Sequence, residues 1–346
     1  MVNNAVYVTE NRKMTFKTAD MPKIGEHDVM IKMKYCGVCG SDVHFYEHGE
    51  PEFPDVYPFI LGHEGAGEVI DMGKQVTNLT IGDRVAIEPG IPCRVCAWCS
   101  SGKYNLCPHV RFPSAPREHG ILRNIICHPA DFCFKLADNM TYAEGALIEP
   151  LAVGLTAARE AGAGLGQTAV ILGSGCIGLV TLLALKSMGV ENITVIDLFD
   201  FRLNKARDLG TWQVINAKQQ DAIAEVKRLY DGLGPDLVFE SAGNVKAASQ
   251  TVHMVRRGGT VMIIGNVTGE TPINLQLMTN KEITLKTNFR YRNIYPTAIA
   301  TVSSGRIHIG SIVSRLYPLS DTHQAFEDCI LEKATMVKAM IEIDAQ

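Results

Sequence analysis

Four cysteines fall within 15 residues, as Cys93-x-x-Cys96-x-x-Cys99 followed by Cys107. Four thiolates at about 2.3 Å make a closed tetrahedral zinc site, structural because no position stays open. Free thiols or a disulfide are the alternatives, and disulfides are rare in cytosolic chains. No basic recognition helix follows, as a DNA-binding finger would require. A second set is dispersed: Cys39-Gly40-Ser41-Asp42-Val43-His44, then Gly62-His63-Glu64, then Glu149-Pro150. A thiol, an imidazole and a carboxylate can hold zinc with one position open to a substrate. Spacing alone does not separate such residues from buried structural ones.

The third pattern is Gly173-Ser174-Gly175-Cys176-Ile177-Gly178, a G-x-G-x-x-G run. It follows a strand-like segment, opens a helix-like one, and precedes Asp197 at the end of the next strand-like segment. In that context the first glycine permits a tight turn, the second lets a pyrophosphate approach the backbone, and the third permits close helix–strand packing. The helix N-terminus then offers N–H groups to the phosphates.

These residues need elements to hold them. From residue 168 onward strands and helices alternate. Strands are expected over 168–172, 192–197, 213–216, 236–240 and 260–264. Helices are expected over 176–188, 201–209, 221–230 and 245–255, with Ile223, Val226 and Tyr230 on one face of the third. The alternation predicts a parallel sheet with right-handed crossovers, a nucleotide-binding architecture. Before residue 150 the chain is rich in Gly, Pro and short alternating runs, with strands expected over 29–33, 67–71 and 83–87. The tail reads as a strand over 283–287, a helix over 295–304, strand or extended chain over 316–318, a helix over 322–330 and a strand over 337–343. We expect this tail to pack back onto the first, mostly β, domain.

The 346 residues suit about two domains. A formal charge of −4 argues against general affinity for nucleic acid or anionic membrane. Residues 161–185 carry no charge, but six glycines break that stretch into loop, strand, turn and helix rather than a membrane span. No signal peptide is visible at the start, and six of the ten cysteines (Cys36 and Cys39; Cys93, Cys96, Cys99 and Cys107) are grouped as metal ligands are, so a cytoplasmic location is expected.

The motifs GHEGAGEV, GDRVAIEPG, the four-cysteine lobe and GSGCIG, in this order, resemble the zinc-dependent medium-chain alcohol dehydrogenase superfamily over essentially the whole chain. CGVCGSDVH, GKYNLCP, GALIEPLAVG and FRYRNIYPTAI look most like its sorbitol/xylitol branch. The resemblance implies an α/β chain: a GroES-like, mostly β catalytic domain (1–154 and 288–346) and a Rossmann doubly wound parallel-sheet domain (155–287). It implies one catalytic and one structural zinc per chain, with NAD as cofactor. Cys39, His63 and Glu64 would bind the catalytic zinc, and Glu149 would bind its water or the metal itself. Ser41 would hydrogen-bond the reacting oxygen and pass its proton outward by way of ribose and His44. Asp42 would orient His63. Gly173, Gly175, Ile177, Gly178, Asp197 and Arg202 would bind the cofactor, the Asp197 carboxylate accepting from ribose and repelling a 2′-phosphate. Phe112 would line the pocket, and Arg290 and Tyr291 would contact substrate hydroxyls. Ser114-Ala115-Pro116 stands where Ala-Thr-Pro is usual, so a hydroxyl commonly offered to substrate is missing or displaced. The implied reaction takes sorbitol to fructose or xylitol to D-xylulose, in a homotetramer. Threonine, butanediol or a sugar alcohol phosphate are the rival substrates. A non-catalytic NAD-sensing zinc protein is the rival of another class.

Overall fold

The computed structural model describes residues 2–49, 52–53 and 55–344. Its chain forms two compact units, Met1–Glu149 with Tyr295–Gln346, and Pro150–Ile294. The division follows the local packing. Gly154, in the helix Ile148–Ala161, lies so close to the Val180 backbone that a Cβ there would meet it at 2.8 Å. Arg292 pairs with Glu160, holding the end of the second unit to the same helix.

In the second unit the strands Thr168–Leu172, Asn192–Asp197 and Leu237–Glu240 are almost wholly buried, each around an apolar middle. Continuous apolar runs suit strands covered on both faces. Among the described residues these three sit centrally in a six-stranded sheet. Its spatial order is Gln213–Asn216, Asn192–Asp197, Thr168–Leu172, Leu237–Glu240, Thr260–Ile263, Thr284–Thr287. All its pairs are parallel. Numbered along the chain this is the 3-2-1-4-5-6 order, whose dinucleotide site lies at the strands' carboxyl ends. The helix Cys176–Ser187 is buried from Gly178 through Leu185, which explains its lack of charge. No helix of the described residues is long and apolar enough to cross a membrane. The helix expected over 221–230 is Ala222–Leu229: the Asp221 side chain caps it by accepting from Ile223 and Ala224 N–H. Tyr230 leaves the helix and donates to the Ala169 carbonyl, while Val226 and Tyr230 stay in the core and Ile223 packs against it.

In the first unit the strand Asp28–Gly37 places Val29, Ile31 and Met33 inward. Among the described residues it is the hub of a seven-stranded sheet, pairing with Glu64–Met72, Ile125–Pro129 and the late strand Ala339–Glu342. The first two strands, Asn4–Glu10 and Lys13–Thr18, form a hairpin in a separate three-stranded sheet. The segment after Cys39 is a helix, Gly40–His48.

Candidate metal centres and dinucleotide loop

The strand Asp28–Gly37 delivers Cys39 just beyond its end, where Cys39 is the N-cap residue of the helix Gly40–His48. The antiparallel strand Glu64–Met72 starts opposite, pairing Glu64 with Gly37 and leaving His63 immediately before it. The Glu64 carboxylate lies over Gly37, where a Cβ would meet Oε2 at 2.1 Å. Ligand atoms of Cys39, His63 and Glu64 lie within 4.8 Å of one another.

The surroundings fit a dication. His63 Nδ1 stands 3.3 Å from Asp42 Oδ1, both side chains being buried. A ring with Nδ1 turned toward a carboxylate presents its other nitrogen, Nε2, to a metal. Burial acts to lower the His63 pKa, but the charges of Asp42 and Cys39 outweigh it and hold it well above its ordinary value. Burial likewise acts to raise the Asp42 carboxyl, yet His63, Ser114 and the Gly62 N–H keep it below the usual range. The site therefore favours positive charge at the imidazole, a demand that zinc meets with more charge and more ligands.

Lys338 was missed in the sequence. Its ammonium is buried and contacts Glu64 Oε1 at 2.8 Å and Oε2 at 2.5 Å, with the Val38 carbonyl at 3.0 Å. Lys338 thus adds a positive charge to the thiolate, carboxylate and imidazole set, and Asp42 adds a negative one. The signal in the sequence is a single lysine among apolar neighbours, Met336, Val337, Ala339, Met340 and Ile341.

Ser41 is exposed and donates from Oγ to Cys39 Sγ at 3.3 Å. His44 is exposed on the same helix. The Phe112 ring packs on the His63 ring at 5.2 Å between centroids. Glu149 is buried at the start of the helix Ile148–Ala161 and is not in the three-residue cluster. Ser114 has a role not read from the sequence. Its hydroxyl donates to Asp42 Oδ1 and accepts from the Gly62 N–H, with backbone φ of +73°. The hydroxyl thus supports the carboxylate beside His63.

The four cysteines of the lobe also come together. Sulfur separations of 3.4 Å for Cys96–Cys99, and 3.9 Å for Cys93–Cys99 and Cys96–Cys107, bracket the edge of about 3.8 Å in a ZnS₄ tetrahedron. N–H groups of Val95 and Cys96 pull the Cys93 thiol down to about 6. Desolvation and its hydrogen bond to Cys96 push Cys99 up to about 12. Without a cation the four sulfurs compete for negative charge; a bound Zn²⁺ lets all four be thiolates. Cys96→Ser should lower bound zinc from about two to about one per chain and cost on the order of several kcal/mol of stability. Metal analysis beside denaturant unfolding checks this, and an unchanged zinc count would remove the lobe from the metal sites.

Next to this lobe, Tyr104 donates to buried Glu88 Oε1 at 2.7 Å. Burial pushes Glu88 up to about 7; Tyr104 opposes this and Glu149 adds to it. In the unfolded chain its value is near 4.5. Between these values the folded protein keeps a proton that the unfolded chain releases. Stability therefore falls as pH rises through this window, by up to about 3 kcal/mol. Glu88→Gln keeps an acceptor for Tyr104 and should match wild type at about pH 4, below both values, but exceed it at pH 8 in urea unfolding. An offset that is the same at both pH values would show that this proton is not linked to folding.

In the second unit Gly173 has φ of +98°, and a Cβ on Gly178 would lie 1.9 Å from the Gly173 carbonyl oxygen. Gly175 caps the helix Cys176–Ser187, which contains Ile177, and the nearest group to its missing Cβ is Arg202 Nη1 at 3.8 Å. Asp197 Oδ2 accepts from Ser174 N at 2.7 Å, and Oδ1 accepts from Leu198 and Phe199 N–H. Asp197 thus also braces the glycine turn. Buried Ser174 Oγ has no hydrogen-bond partner among the described residues. An open glycine turn with an orphan hydroxyl at a helix N-terminus fits a dinucleotide pyrophosphate. Arg202 and Lys218 lie over the Phe199 ring. Arg290 has φ of +57° and stacks on Phe289, with Tyr291 buried beside it in sequence.

The chain matches the model of the alcohol dehydrogenase GroES-like domain over residues 25–138 and that of the zinc-binding dehydrogenases over 176–304. An uncharacterized zinc-type alcohol dehydrogenase-like protein of Escherichia coli is 43% identical, across 99% of either chain. The chain belongs to the zinc-dependent medium-chain dehydrogenases. Within these dehydrogenases it falls with the sorbitol branch: sorbitol dehydrogenase of Bacillus subtilis is 38% identical over 97% of this chain and 96% of that one. Among solved dehydrogenases, 2R,3R-butanediol dehydrogenase from Bacillus subtilis superposes with a TM-score of 0.90 at 30% identity, covering 99% of this chain and all of that one.

Proposed function

We propose that this dehydrogenase oxidises a polyol secondary alcohol to a ketone with NAD, sorbitol and xylitol being the leading substrates. The observation that carries the proposal is the Cys39–His63–Glu64 cluster, in a chain of the sorbitol dehydrogenase branch. When bound, zinc supplies polarisation of the substrate oxygen and the dinucleotide accepts the hydride. Cys39, His63 and Glu64 hold the metal, with Glu149 taking its water or a coordination position. Ser41 accepts the hydroxyl proton as it gives up its own, which passes by way of ribose and His44 to solvent. Asp42, braced by Ser114, fixes the ring of His63. Phe112 shields that ring from water. Arg290 and Tyr291 bind the remaining hydroxyls. A homotetramer in the cytoplasm belongs to the same reading.

A second reading takes a smaller vicinal diol. It is favoured by the Ser114 hydroxyl, which is engaged with Asp42 rather than spare for substrate, and by the likeness to butanediol dehydrogenase. Initial rates with sorbitol, xylitol, 2,3-butanediol and threonine separate the readings. A kcat/KM higher for butanediol or threonine than for both polyols overturns the first.

Cofactor choice gives a sharper test. The wild type should prefer NAD over NADP by about tenfold or more, because the Asp197 carboxylate repels a 2′-phosphate. Asp197→Ser should move the ratio toward NADP. It should also lower kcat/KM with both cofactors, because the glycine turn loses its bond to Ser174 N. Equal use of both cofactors by the wild type would sink the claim.

A further inference from the structure

The helix Gly40–His48 carries His44 and His48 one turn apart, both exposed. Their ring centroids are 4.6 Å apart and the planes are tilted by 31°. His48 Nδ1 lies 3.2 Å from the His44 carbonyl oxygen and 3.9 Å from Glu47 Oε2. The carbonyl accepts a proton from Nδ1, and the nearby Glu47 charge favours the same tautomer, which leaves the lone pair of Nε2 to a metal. A metal-binding histidine is held in this way, its second ring N–H donated to a carbonyl or carboxylate. Two histidines at i and i+4 on one helix face are spaced to share an ion. With a metal–nitrogen distance of about 2.0–2.1 Å, tetrahedral geometry puts two ring centroids about 5 Å apart. The observed separation is close to that. His48 also lies in the last turn, where the carbonyl end of the helix favours a cation.

We propose that His44 and His48 form a further metal site, for a borderline divalent cation such as Zn²⁺ or Ni²⁺, with solvent completing its coordination. Occupancy inhibits the enzyme by taking the imidazole that passes the substrate proton. The inhibition rests on the relay role proposed for His44; the site itself does not. It shares no residue with the two zinc clusters.

The test is NiCl₂ titration of the zinc-loaded enzyme in a non-chelating buffer, reading bound nickel by equilibrium dialysis and initial rate in parallel, with bound zinc counted as a control. Wild type is expected to take up about one Ni²⁺ per chain without losing zinc, and to lose activity as it does so. His48→Gln should keep its basal rate and need about tenfold or more nickel for the same occupancy and inhibition, because a chelating pair has become a single ligand. His44→Gln should lose the same binding. Nickel uptake equal in wild type and His48→Gln, or none in wild type, overturns the site. Uptake that depends on His48 but leaves the rate unchanged overturns the inhibition and the relay role of His44, while leaving the reading as a zinc dehydrogenase intact.

Discussion

Cys39→Ser or His63→Ala should lower kcat by about a thousandfold or more while the unit Pro150–Ile294 stays folded and still binds NAD. Lewis-acid polarisation is worth several kcal/mol of charge stabilisation at the reacting oxygen, and each 1.36 kcal/mol is about tenfold in rate. Neither side chain lies in the second unit. The loss should therefore fall on chemistry and not on the affinity for NAD, measured by quenching of protein fluorescence. Zinc must be counted in each variant, because a serine oxygen can retain some metal. A variant shown to lack the site's zinc, and turning over near the wild-type rate, would remove metal polarisation from the mechanism.

Lys338→Met should destabilise the zinc-stripped protein by about 3–5 kcal/mol, the cost of leaving one member of a buried ion pair without its partner. The side chains of Lys338 and Glu64 are each 2% exposed, so solvent does little to screen the orphaned carboxylate. In the zinc-loaded protein the loss should be much smaller, because the dication takes over the Glu64 charge. Urea unfolding of wild type and variant, each with and without a chelator, gives the four values needed. The same loss with and without zinc would mean that Glu64 serves Lys338 alone and is not a zinc ligand.

The parallel sheet was legible because its strands are short apolar runs bounded by turn residues. Those over 168–172, 192–197 and 213–216 have the expected limits. The helix Gly40–His48 was not legible: of its nine residues only Asp42, Phe45 and Tyr46 are buried, so no apolar stripe of helical period marks it. The hairpin at the start was missed for a related reason. The strand Lys13–Thr18 is exposed along nearly its whole length and carries no inward alternation. The lobe could be read from spacing, since its four ligands lie on one short segment. For Cys39, His63 and Glu64 spacing said little, and the resemblance supplied the set. What no local pattern contains is pairing across long separations: Lys338 reaches Glu64 across 274 positions and Ser114 reaches Asp42 across 72.

The strand Ala339–Glu342 lies between Arg315–Pro318 and Asp28–Gly37, filling an interior place in the seven-stranded sheet. A ribosome makes this chain from its N-terminus, so Cys39, His63 and Glu64 emerge long before Lys338 and the strand that follows it. The whole nucleotide-binding unit is synthesised in between. At about 5–20 residues per second, the interval between Glu64 and Lys338 is on the order of ten seconds to a minute. Throughout it the Glu64 carboxylate lacks its ammonium partner, and the hub strand lacks a neighbour along its Tyr35–Gly37 end. The second unit, contiguous in the chain, has no such wait. The nascent protein thus completes its cofactor fold before its metal centre, and an open sheet edge beside unpaired thiols is what a chaperone would meet in the meantime.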